Sequence, residues 1–336
     1  MTKHPTMQAA LLEAHGGPFR LATFPRPAPG EGQVLVRVAA SGVNPLDTKI
    51  HAGAADHAKQ KLPAILGIDL AGAVEGVGPG VTRFRPGDEV FGMTGGVGGH
   101  QGSLAQYAAV DADLLALKPA NLTMREASVL PLVFITAWEG LVDRMGVRAG
   151  QSVLVLGGAG GVGQMAIQIA RARGAAVFAT GSPGSQETIE RLGARFIDRA
   201  EPVAAFVARL TGGHGFDCVY DTVGGRVLDD AFVAVRRFGH VVSALGWGIH
   251  ALAPLSFRAA SYSGIFTLLP LLTGEGRAHH GEILTEAARL AEAGQLSPFL
   301  DARRFTLNTI EEAYRTIASG AARGKLAIEI EEGTAG

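Results

Sequence analysis

A short β-rich run that leads directly into a cluster of glycines restricts this chain more than any other feature. The run SVLVL begins at Ser152, and the cluster GGAGGVG that follows it ends at Gly163. Gly158, Gly160 and Gly163 match the pattern G-x-G-x-x-G, and residues 164–173 have apolar spacing compatible with a helix. Because a strand, a glycine-rich turn and a helix in this order are typical of dinucleotide sites, the segment predicts one.

Each glycine of that pattern has its own task. The first permits the tight turn, the second lets the backbone approach a pyrophosphate, and the third lets the helix pack on the strand. Backbone N–H groups and the positive end of the helix dipole then attract the phosphates. The predicted pyrophosphate site consists of the whole turn, which comprises Gly158, Ala159, Gly160, Gly161, Val162 and Gly163.

Length and composition limit the classes of protein to consider. At 336 residues the chain is longer than most single hydrophobic cores, so we expect two domains. Apolar residues make up 47% and charged residues 18%, which is typical of a globular enzyme with large buried sheets. The net charge is −1 and no basic run stands out, which argues against nucleic acid as a partner.

Other features indicate the cellular compartment. Residues 1–15 lack the apolar core of a signal peptide, and the most apolar window, residues 251–273, is interrupted by Arg258 and by prolines. The single cysteine, Cys218, excludes an intrachain disulfide and is consistent with a reducing compartment. We expect a cytoplasmic protein with no membrane partner.

The character of the chain changes near residue 123. Before it, short β-rich runs alternate with Gly/Pro turns, which favours a barrel-like arrangement of strands. After it, strands alternate with helices, which indicates an α/β fold with a parallel, doubly wound sheet. We predict a helix over residues 134–145 and a last strand near residues 265–268. The predicted domains are residues 1–127 with 269–336, and residues 128–268.

Nine short motifs lie in register along almost the whole chain. They occupy residues 42–47, 67–72, 78–80, 85–90, 103–107, 130–138, 157–163, 221–224 and 324–325. Together they resemble the medium-chain dehydrogenase/reductase superfamily, and within it the zinc-independent quinone oxidoreductases. The resemblance implies a GroES-like, β-barrel-type catalytic domain and a Rossmann cofactor domain. It also implies NADPH as the cofactor, reduction of a quinone or an α,β-unsaturated carbonyl, and a homodimer.

The ligand set for zinc is missing from the sequence. Zinc alcohol dehydrogenases of the superfamily have a cysteine where this chain has Asn44 and a histidine where it has Ile68. A second cysteine ligand is also missing, whereas catalytic zinc usually needs three protein ligands. His100, His279 and His280 are expected in loops, without a partner at metal spacing. We therefore predict no metal, and a substrate that accepts hydride without a Lewis acid.

The residues after the second strand of the cofactor domain bear on the choice of nucleotide. NAD enzymes usually have an acidic residue there, but this strand ends in Thr180, Gly181 and Ser182. The two hydroxyls could donate to a 2′-phosphate, and Arg199 after the third strand could supply a positive charge. The alternative for Arg199 is a solvated surface residue. The sequence favours NADPH, with NADH as the alternative.

Three polar residues are candidates for the reacting centre. In relatives, the residues at the positions of Asn44 and Thr136 lie near the nicotinamide, and Thr136 could hydrogen-bond the ring or the substrate. Alternatively, Asn44 forms a turn before a proline, and Thr136 bonds its own helix backbone. Asp47 more plausibly orients Asn44 or caps a short helix than transfers a proton. The sequence identifies no general acid.

Further residues are expected around the nicotinamide. The carboxyl ends of parallel strands line the ligand crevice, which favours Leu245, Gly246 and Phe266, although Phe266 could equally belong to the core. Val223 lies in one of the shared motifs and is assigned to the cofactor site with them. Lys325 either reaches the nicotinamide from the C-terminal segment or is a surface lysine.

These observations predict an NADPH-dependent oxidoreductase that transfers hydride to a quinone or enone without a metal. Two alternatives stay open: a zinc-dependent alcohol dehydrogenase-like enzyme, and a structural protein that binds the cofactor without catalysis. Relatives commonly dimerise through edge strands, and residues 262–269 are apolar enough for such an edge. A buried inner strand would be equally apolar. The sequence does not identify the substrate.

Overall fold

The computed structural model describes residues 5–330. Residues 1–4 and 331–336, which belong to the predicted first domain, lie outside that range. The β-strands are β1 (Thr6–Leu12), β2 (Phe19–Pro25), β3 (Gln33–Val43), β4 (Ala64–Ile65), β5 (Asp69–Val77), β6 (Glu89–Met93), β7 (Tyr107–Asp111), β8 (Leu115–Leu117), β9 (Ser152–Leu156), β10 (Ala176–Gly181), β11 (Arg195–Asp198), β12 (Phe216–Asp221), β13 (Val235–Ser243), β14 (Ser261–Gly264), β15 (Phe305–Thr306) and β16 (Leu326–Glu329). The α-helices are α1 (Pro45–His51), α2 (Met124–Ser128), α3 (Pro131–Trp138), α4 (Gly161–Ala172), α5 (Gln186–Arg191), α6 (Val203–Thr211), α7 (Arg226–Ala234), α8 (Ala253–Ser256), α9 (Leu269–Thr273), α10 (Arg277–Glu292) and α11 (Ile310–Ala318).

The described residues divide into two compact units. One contains the residues up to Leu132 and those from Leu268 onward, and the other is Val133–Thr267. The first unit is discontinuous because the chain returns to it near its end. Strand β16 pairs antiparallel with β3, with Leu326 opposite Val43.

The first unit is built mainly on antiparallel strands. Within residues 5–330, its larger sheet has the order β15-β16-β3-β5-β6-β8, and β7 also pairs with β3. A smaller sheet has the order β2-β1-β4. Apolar side chains from β5 and β6, among them Leu70, Phe91 and Met93, are completely buried. This arrangement supports the prediction of a barrel-like unit of short strands.

The second unit contains a parallel sheet with the order β11-β10-β9-β12-β13-β14. Every neighbouring pair in it is parallel. Counted from β9, this is the order 3-2-1-4-5-6 of dinucleotide-binding sheets, whose ligands bind at the carboxyl ends of the strands where the order reverses. That point lies between β9 and β12. The predicted α/β, doubly wound fold is confirmed.

Aromatic residues fill one side of this parallel sheet. Phe206 from α6, Phe216 from β12 and Phe232 from α7 belong to one buried cluster with Leu154 and Val241. Burying each of these phenylalanines stabilises the fold by about 1.5–3 kcal/mol. None of the helices within residues 5–330 combines the length and the apolarity that a membrane span requires.

Two local predictions were wrong, and a third was right without its detail. The last strand is Ser261–Gly264 rather than residues 265–268, because main-chain pairing with β13 selects a polar segment that carries no strand pattern of its own. The predicted helix at residues 134–145 is helical up to Arg144, but it becomes a π-helix over Glu139–Arg144, a change of hydrogen-bond register that apolar spacing does not reveal. His279 and His280 lie in α10 rather than in a loop, since the buried His280 packs on the inner face of that helix.

Candidate functional site

The glycine turn joins β9 to α4 at the carboxyl edge of the parallel sheet. Gly157 has a φ of 87°, so the left-handed residue of the turn is Gly157, one position before the glycine expected from the pattern. A Cβ on Gly158 would lie 2.6 Å from the Cβ of Ala179, and one on Gly163 would lie 2.2 Å from the carbonyl oxygen of Gly157. Both positions therefore require glycine for close packing.

The middle of the turn is open. A Cβ on Gly160 would have its nearest neighbour at 3.5 Å, and α4 begins at the next residue, Gly161. The N–H groups of this first turn, including that of Val162, have no acceptor within an α-helix. Nε2 of Gln164 donates to the carbonyl oxygen of Ala159 at 2.8 Å and braces the loop. The turn thus fits the pyrophosphate of a dinucleotide.

Thr180 holds the glycine turn from the neighbouring strand. Its Oγ1 accepts a hydrogen bond from the N–H of Gly157 at 3.1 Å. Its carbonyl oxygen accepts one from the N–H of Gly158 at 2.9 Å. Because the hydroxyl oxygen is the acceptor in the first contact, that contact leaves the hydroxyl proton for another acceptor.

A positive charge lies beside the end of β10. Strands β10 and β11 pair Gly181 with Asp198, and the N–H of Arg199 donates to the carbonyl oxygen of Gly181 at 2.9 Å. The side chain of Arg199 is exposed. Ser182, the next residue after β10, has its Oγ 3.5 Å from that of Ser185. This edge offers hydroxyls and a guanidinium to an anion.

Asp221 shapes the loops after β12 and β13. Its buried carboxylate accepts hydrogen bonds from the N–H groups of Val223 and Gly224, each at 3.0 Å, and from Oγ of Ser243 at 2.7 Å. Oγ of Ser243 in turn accepts the N–H of Leu245 at 3.0 Å. One carboxylate therefore sets two loops that were predicted to line the pocket, and leaves Val223 48% exposed.

The remaining predicted pocket residues lie beside exposed aromatic side chains. A Cβ on Gly246 would lie 2.2 Å from Oη of Tyr262, so a larger residue here would have to displace the end of that side chain. The half-buried ring of Phe266 contacts Trp247 edge to face, with 6.3 Å between the ring centroids. Because Trp247 is itself exposed, Phe266 lies at the margin of the core rather than inside it.

In the first unit, Asn44, Asp47 and Lys325 meet Asp69, which the sequence analysis did not select as a site residue. Nδ2 of Asn44 donates to Oδ2 of Asp69 at 2.9 Å, and the N–H of Asn44 donates to Oδ2 of Asp47 at 2.8 Å. Nζ of Lys325 donates to Oδ1 of Asn44 and to the carbonyl oxygen of Val43. The side-chain amide of Asn44 is therefore fixed at both ends.

This cluster brings two carboxyl groups to one ammonium. Burial raises the pKa of Asp47 and of Asp69 to about 7, against the opposing effects of Lys325 and of hydrogen bonds. Burial also lowers the pKa of Lys325. Both oxygens of Asp69 accept hydrogen bonds, one from the N–H of Leu132, whereas Oδ1 of Asp47 is buried without a partner in the described part of the chain. Asp47 is thus the better position for a proton.

Thr136 lies on α3 and is almost buried. Oγ1 of Thr267 lies 3.1 Å from Oγ1 of Thr136 and donates to Oε2 of Glu139 at 2.7 Å. Oη of Tyr220 donates to the carbonyl oxygen of Thr136 at 2.6 Å. Sequence reasoning missed Thr267 and Tyr220 because they come from separate segments, and the only signal was a polar Thr267 within an apolar run. It also missed Glu139, which lies three residues after Thr136 and contacts Thr267.

The donor set does not fit a zinc ion. Within residues 5–330, no group of three or more His, Cys, Asp or Glu side chains is arranged to hold a metal. Cys218 is buried in β12, where burial raises the pKa of its thiol to about 11. At Asn44, an ammonium rather than an open coordination position faces the carboxyl groups.

The structure divides the predicted site residues between the two units. Asn44, Asp47 and Lys325 belong to the first. The second contains Thr136, the turn from Gly158 to Gly163, Thr180, Gly181, Ser182, Arg199, Val223, Leu245, Gly246 and Phe266. Within the second unit, the glycine turn, Thr180 and the loops after β10, β12 and β13 share the carboxyl edge of the sheet.

Two family descriptions match the chain. "Alcohol dehydrogenase GroES-like domain" matches residues 30–120, and "Zinc-binding dehydrogenase" matches residues 192–328. Among solved structures, an alcohol dehydrogenase superfamily protein from Novosphingobium aromaticivorans is 60% identical, with a TM-score of 0.95. The match covers 97% of this chain and all of that one.

Curated relatives include two reductases from plants. The 2-methylene-furan-3-one reductase of Solanum lycopersicum is 36% identical, and the NADPH-dependent alkenal/one oxidoreductase of Arabidopsis thaliana is 34% identical. Each match covers 89% of this chain and 72% of the relative. Quinone-oxidoreductase QR1 of Triphysaria versicolor is 29% identical over 96% of this chain and 98% of its own. The chain spans only 13% of another relative, the spectinabilin polyketide synthase system protein NorB of Streptomyces orinoci.

Proposed function

Because the chain belongs to the medium-chain dehydrogenase/reductase superfamily and to its quinone oxidoreductase family, we propose that it is an NADPH-dependent oxidoreductase. Its substrate is a quinone or an α,β-unsaturated carbonyl, and it uses no metal. The two plant reductases and the quinone oxidoreductase among its relatives support this substrate class.

The glycine turn carries the proposal. Its backbone is packed so closely at Gly158 and Gly163 that no side chain fits there, while the space next to Gly160 is open. A loop that is rigid on one side and open on the other, at the start of a helix, is suited to a pyrophosphate. When bound, NADPH supplies the hydride, and the chain's task is to orient the cofactor and to exclude water.

A preference for NADPH follows from the end of β10. The strand offers Thr180 and Ser182 instead of a carboxylate, and the exposed guanidinium of Arg199 follows the adjacent strand. A 2′-phosphate is bound well by hydroxyls and by a planar guanidinium, whereas the ribose hydroxyl of NADH has no carboxylate to accept its proton.

Asn44 of the first unit and Thr136 of the second are each proposed, separately, as residues that act on the reacting end of the cofactor or substrate. Asn44, held by Asp69 and Lys325, presents a fixed amide, and Thr136 presents a hydroxyl. Quinones and enones accept hydride without a Lewis acid, because delocalisation stabilises the reduced oxygen. The absence of a fitting zinc donor set within residues 5–330 is compatible with this substrate class.

Rapid mixing with two acceptor classes tests the proposal. Protein preloaded with NADPH is mixed with 1,2-naphthoquinone or with a simple enone, and the loss of NADPH absorbance is followed. We expect turnover with at least one class and less than stoichiometric zinc by elemental analysis of the same sample. Tight NADPH binding without turnover of either class, or stoichiometric zinc, would reject it.

The proposal includes a homodimer located in the cytoplasm. Strand β14 has one neighbour in its sheet, β13, and its other edge is unpaired within the described chain; Tyr262 of this strand is exposed. The buried single cysteine supports a reducing compartment. Light scattering of the purified protein should give twice the chain mass, and cell fractionation should recover the protein with cytoplasmic markers.

A further inference from the structure

Thr136 is held by Thr267 and Tyr220, which come from two other parts of the second unit, and Glu139, three residues after Thr136, holds Thr267. The hydroxyl of Thr267 lies 3.1 Å from its Oγ1, and the same hydroxyl donates to the carboxylate of Glu139 at 2.7 Å. On the main-chain side, Oη of Tyr220 donates to the carbonyl oxygen of Thr136 at 2.6 Å. Both the side chain and the backbone of Thr136 are therefore fixed.

The local helix geometry makes room for this arrangement. Helix α3 ends at Trp138, and a π-helix follows from Glu139. The next residue, Gly140, lies against the ring of Tyr220: a Cβ there would be 2.7 Å from Cζ. A larger residue would push Tyr220 away from the carbonyl oxygen of Thr136. Short π-helical segments are frequent at functional sites, since they re-aim side chains within a helix.

The polar groups around Thr136 converge on the ligand edge of the sheet. Tyr220 precedes the last residue of β12, and Thr267 follows the end of β14 by three positions. Parallel sheets bind their ligands at this carboxyl edge. Thr136 and Thr267 are each only 7% exposed, and apolar side chains would fill such a space without having to satisfy hydrogen bonds. The part-buried carboxylate of Glu139 is the acceptor for the Thr267 hydroxyl in this polar cluster.

We propose that Glu139 and Thr267 are positioning residues, which hold the side chain of Thr136 in one rotamer beside the nicotinamide of bound NADPH. The carboxylate of Glu139 can only accept, so it takes the one proton of the Thr267 hydroxyl. At the 3.1 Å contact, Oγ1 of Thr267 is then the acceptor for the hydroxyl of Thr136, which restricts the rotamer of Thr136. This inference rests on the proposed function, because it assumes that NADPH binds at the glycine turn.

The test compares two ligands that differ in the nicotinamide. Dissociation constants for NADPH and for adenosine 2′,5′-bisphosphate, which has the 2′-phosphate but no nicotinamide, are measured by calorimetry. We expect Thr267→Val to weaken NADPH binding roughly fivefold, the effect of one hydrogen bond, and to leave the bisphosphate unchanged. Thr267→Ser should restore NADPH binding to within about twofold, because it keeps the hydroxyl. Glu139→Ala should weaken NADPH binding about as much as Thr267→Val does. Glu139→Gln should weaken it less, since its amide oxygen can still accept the hydrogen bond from Thr267.

Thr211→Val is the matched control. Oγ1 of Thr211 makes two hydrogen bonds at the end of α6, so this variant also loses a hydroxyl network in the second unit. It should leave both dissociation constants unchanged. The fluorescence of bound NADPH gives a second readout, which should change with Thr267→Val and not with Thr211→Val.

The outcomes separate this inference from the proposed function. If the unmodified protein binds neither ligand, the proposed function fails. If it binds both, and Thr267→Val weakens them equally or not at all, the positioning role is overturned. Equal effects of Thr267→Ser and Thr267→Val would also overturn it, because the hydroxyl would then be irrelevant.

Discussion

The ammonium of Lys325 donates to the side-chain oxygen of Asn44, although 281 positions separate the two residues. The pairing of β16 with β3 brings them together, since Leu326 lies opposite Val43. Lys325 thereby becomes the positive member of a cluster that contains the buried carboxyl groups of Asp47 and Asp69. Its position does not agree with a free surface lysine. A direct contact with the nicotinamide stays a prediction.

Removing the charge of Lys325 should destabilise the protein. In Lys325→Met, two buried carboxyl groups lose their cation, and we expect the free energy of unfolding to fall by about 3 kcal/mol. Urea unfolding measures the change, with the exposed Lys61→Met as a control that should stay within about 0.5 kcal/mol of the unmodified protein. Equal stability of the two variants would mean that Lys325 does not compensate the carboxyl groups.

The same cluster should make stability depend on pH. Burial raises the pKa of Asp47 and Asp69 to about 7, so between about pH 4 and pH 7 the folded state binds more protons than the unfolded chain. The free energy of unfolding should therefore fall as pH rises through this range and level off above it. The lowered pKa of Lys325 acts in the opposite direction, in the range between its lowered pKa and the ordinary value for lysine.

Asp47→Asn should flatten this dependence. The variant cannot ionise, so its stability should change between about pH 4.5 and pH 7.5 by at least about 1 kcal/mol less than that of the unmodified protein. Urea midpoints across the range provide the measurement, and the exposed Asp56→Asn serves as control. An unchanged slope in Asp47→Asn would show that this carboxyl group titrates normally.

The close packing of the glycine turn should make Gly163→Ala severe. The new Cβ would lie 2.2 Å from the carbonyl oxygen of Gly157, which forces α4 away from the turn. We expect the dissociation constant for NADPH to rise at least about tenfold. The loss of two hydrogen bonds between the start of α4 and the cofactor is enough to weaken binding by that factor. Gly76→Ala, whose Cβ would meet nothing within 4 Å, should bind NADPH normally.

Arg199 should decide the preference for NADPH over NADH. Loss of a charge-assisted hydrogen bond to the 2′-phosphate in Arg199→Gln should raise KM for NADPH roughly tenfold and leave KM for NADH unchanged. Steady-state kinetics with both cofactors provide the measurement. Arg195→Gln, at the other end of β11 and also exposed, is the control. An equal rise of KM for both cofactors would show that Arg199 does not act through the 2′-phosphate.

The superfamily and the doubly wound sheet could be predicted because their signals are local. A strand that enters a glycine turn, and strands that alternate with helices, can each be read within a few dozen residues. Even there, the structure corrected a detail: the left-handed turn residue is Gly157 rather than Gly158. Backbone torsion at a single position depends on packing against Ala179 and Thr180, which the pattern does not contain.

By itself, the sequence determined the fold class, the place of the glycine turn and the family, since each depends on neighbouring residues and their periodicity. Only the tertiary structure decided which side chains support the candidate site. Asp69 and Lys325 reach Asn44, and Thr267 reaches both Thr136 and Glu139, across long stretches of chain. Strand pairing and a shift from α- to π-helix set these contacts, and both arise from interactions that form only when distant segments pack together.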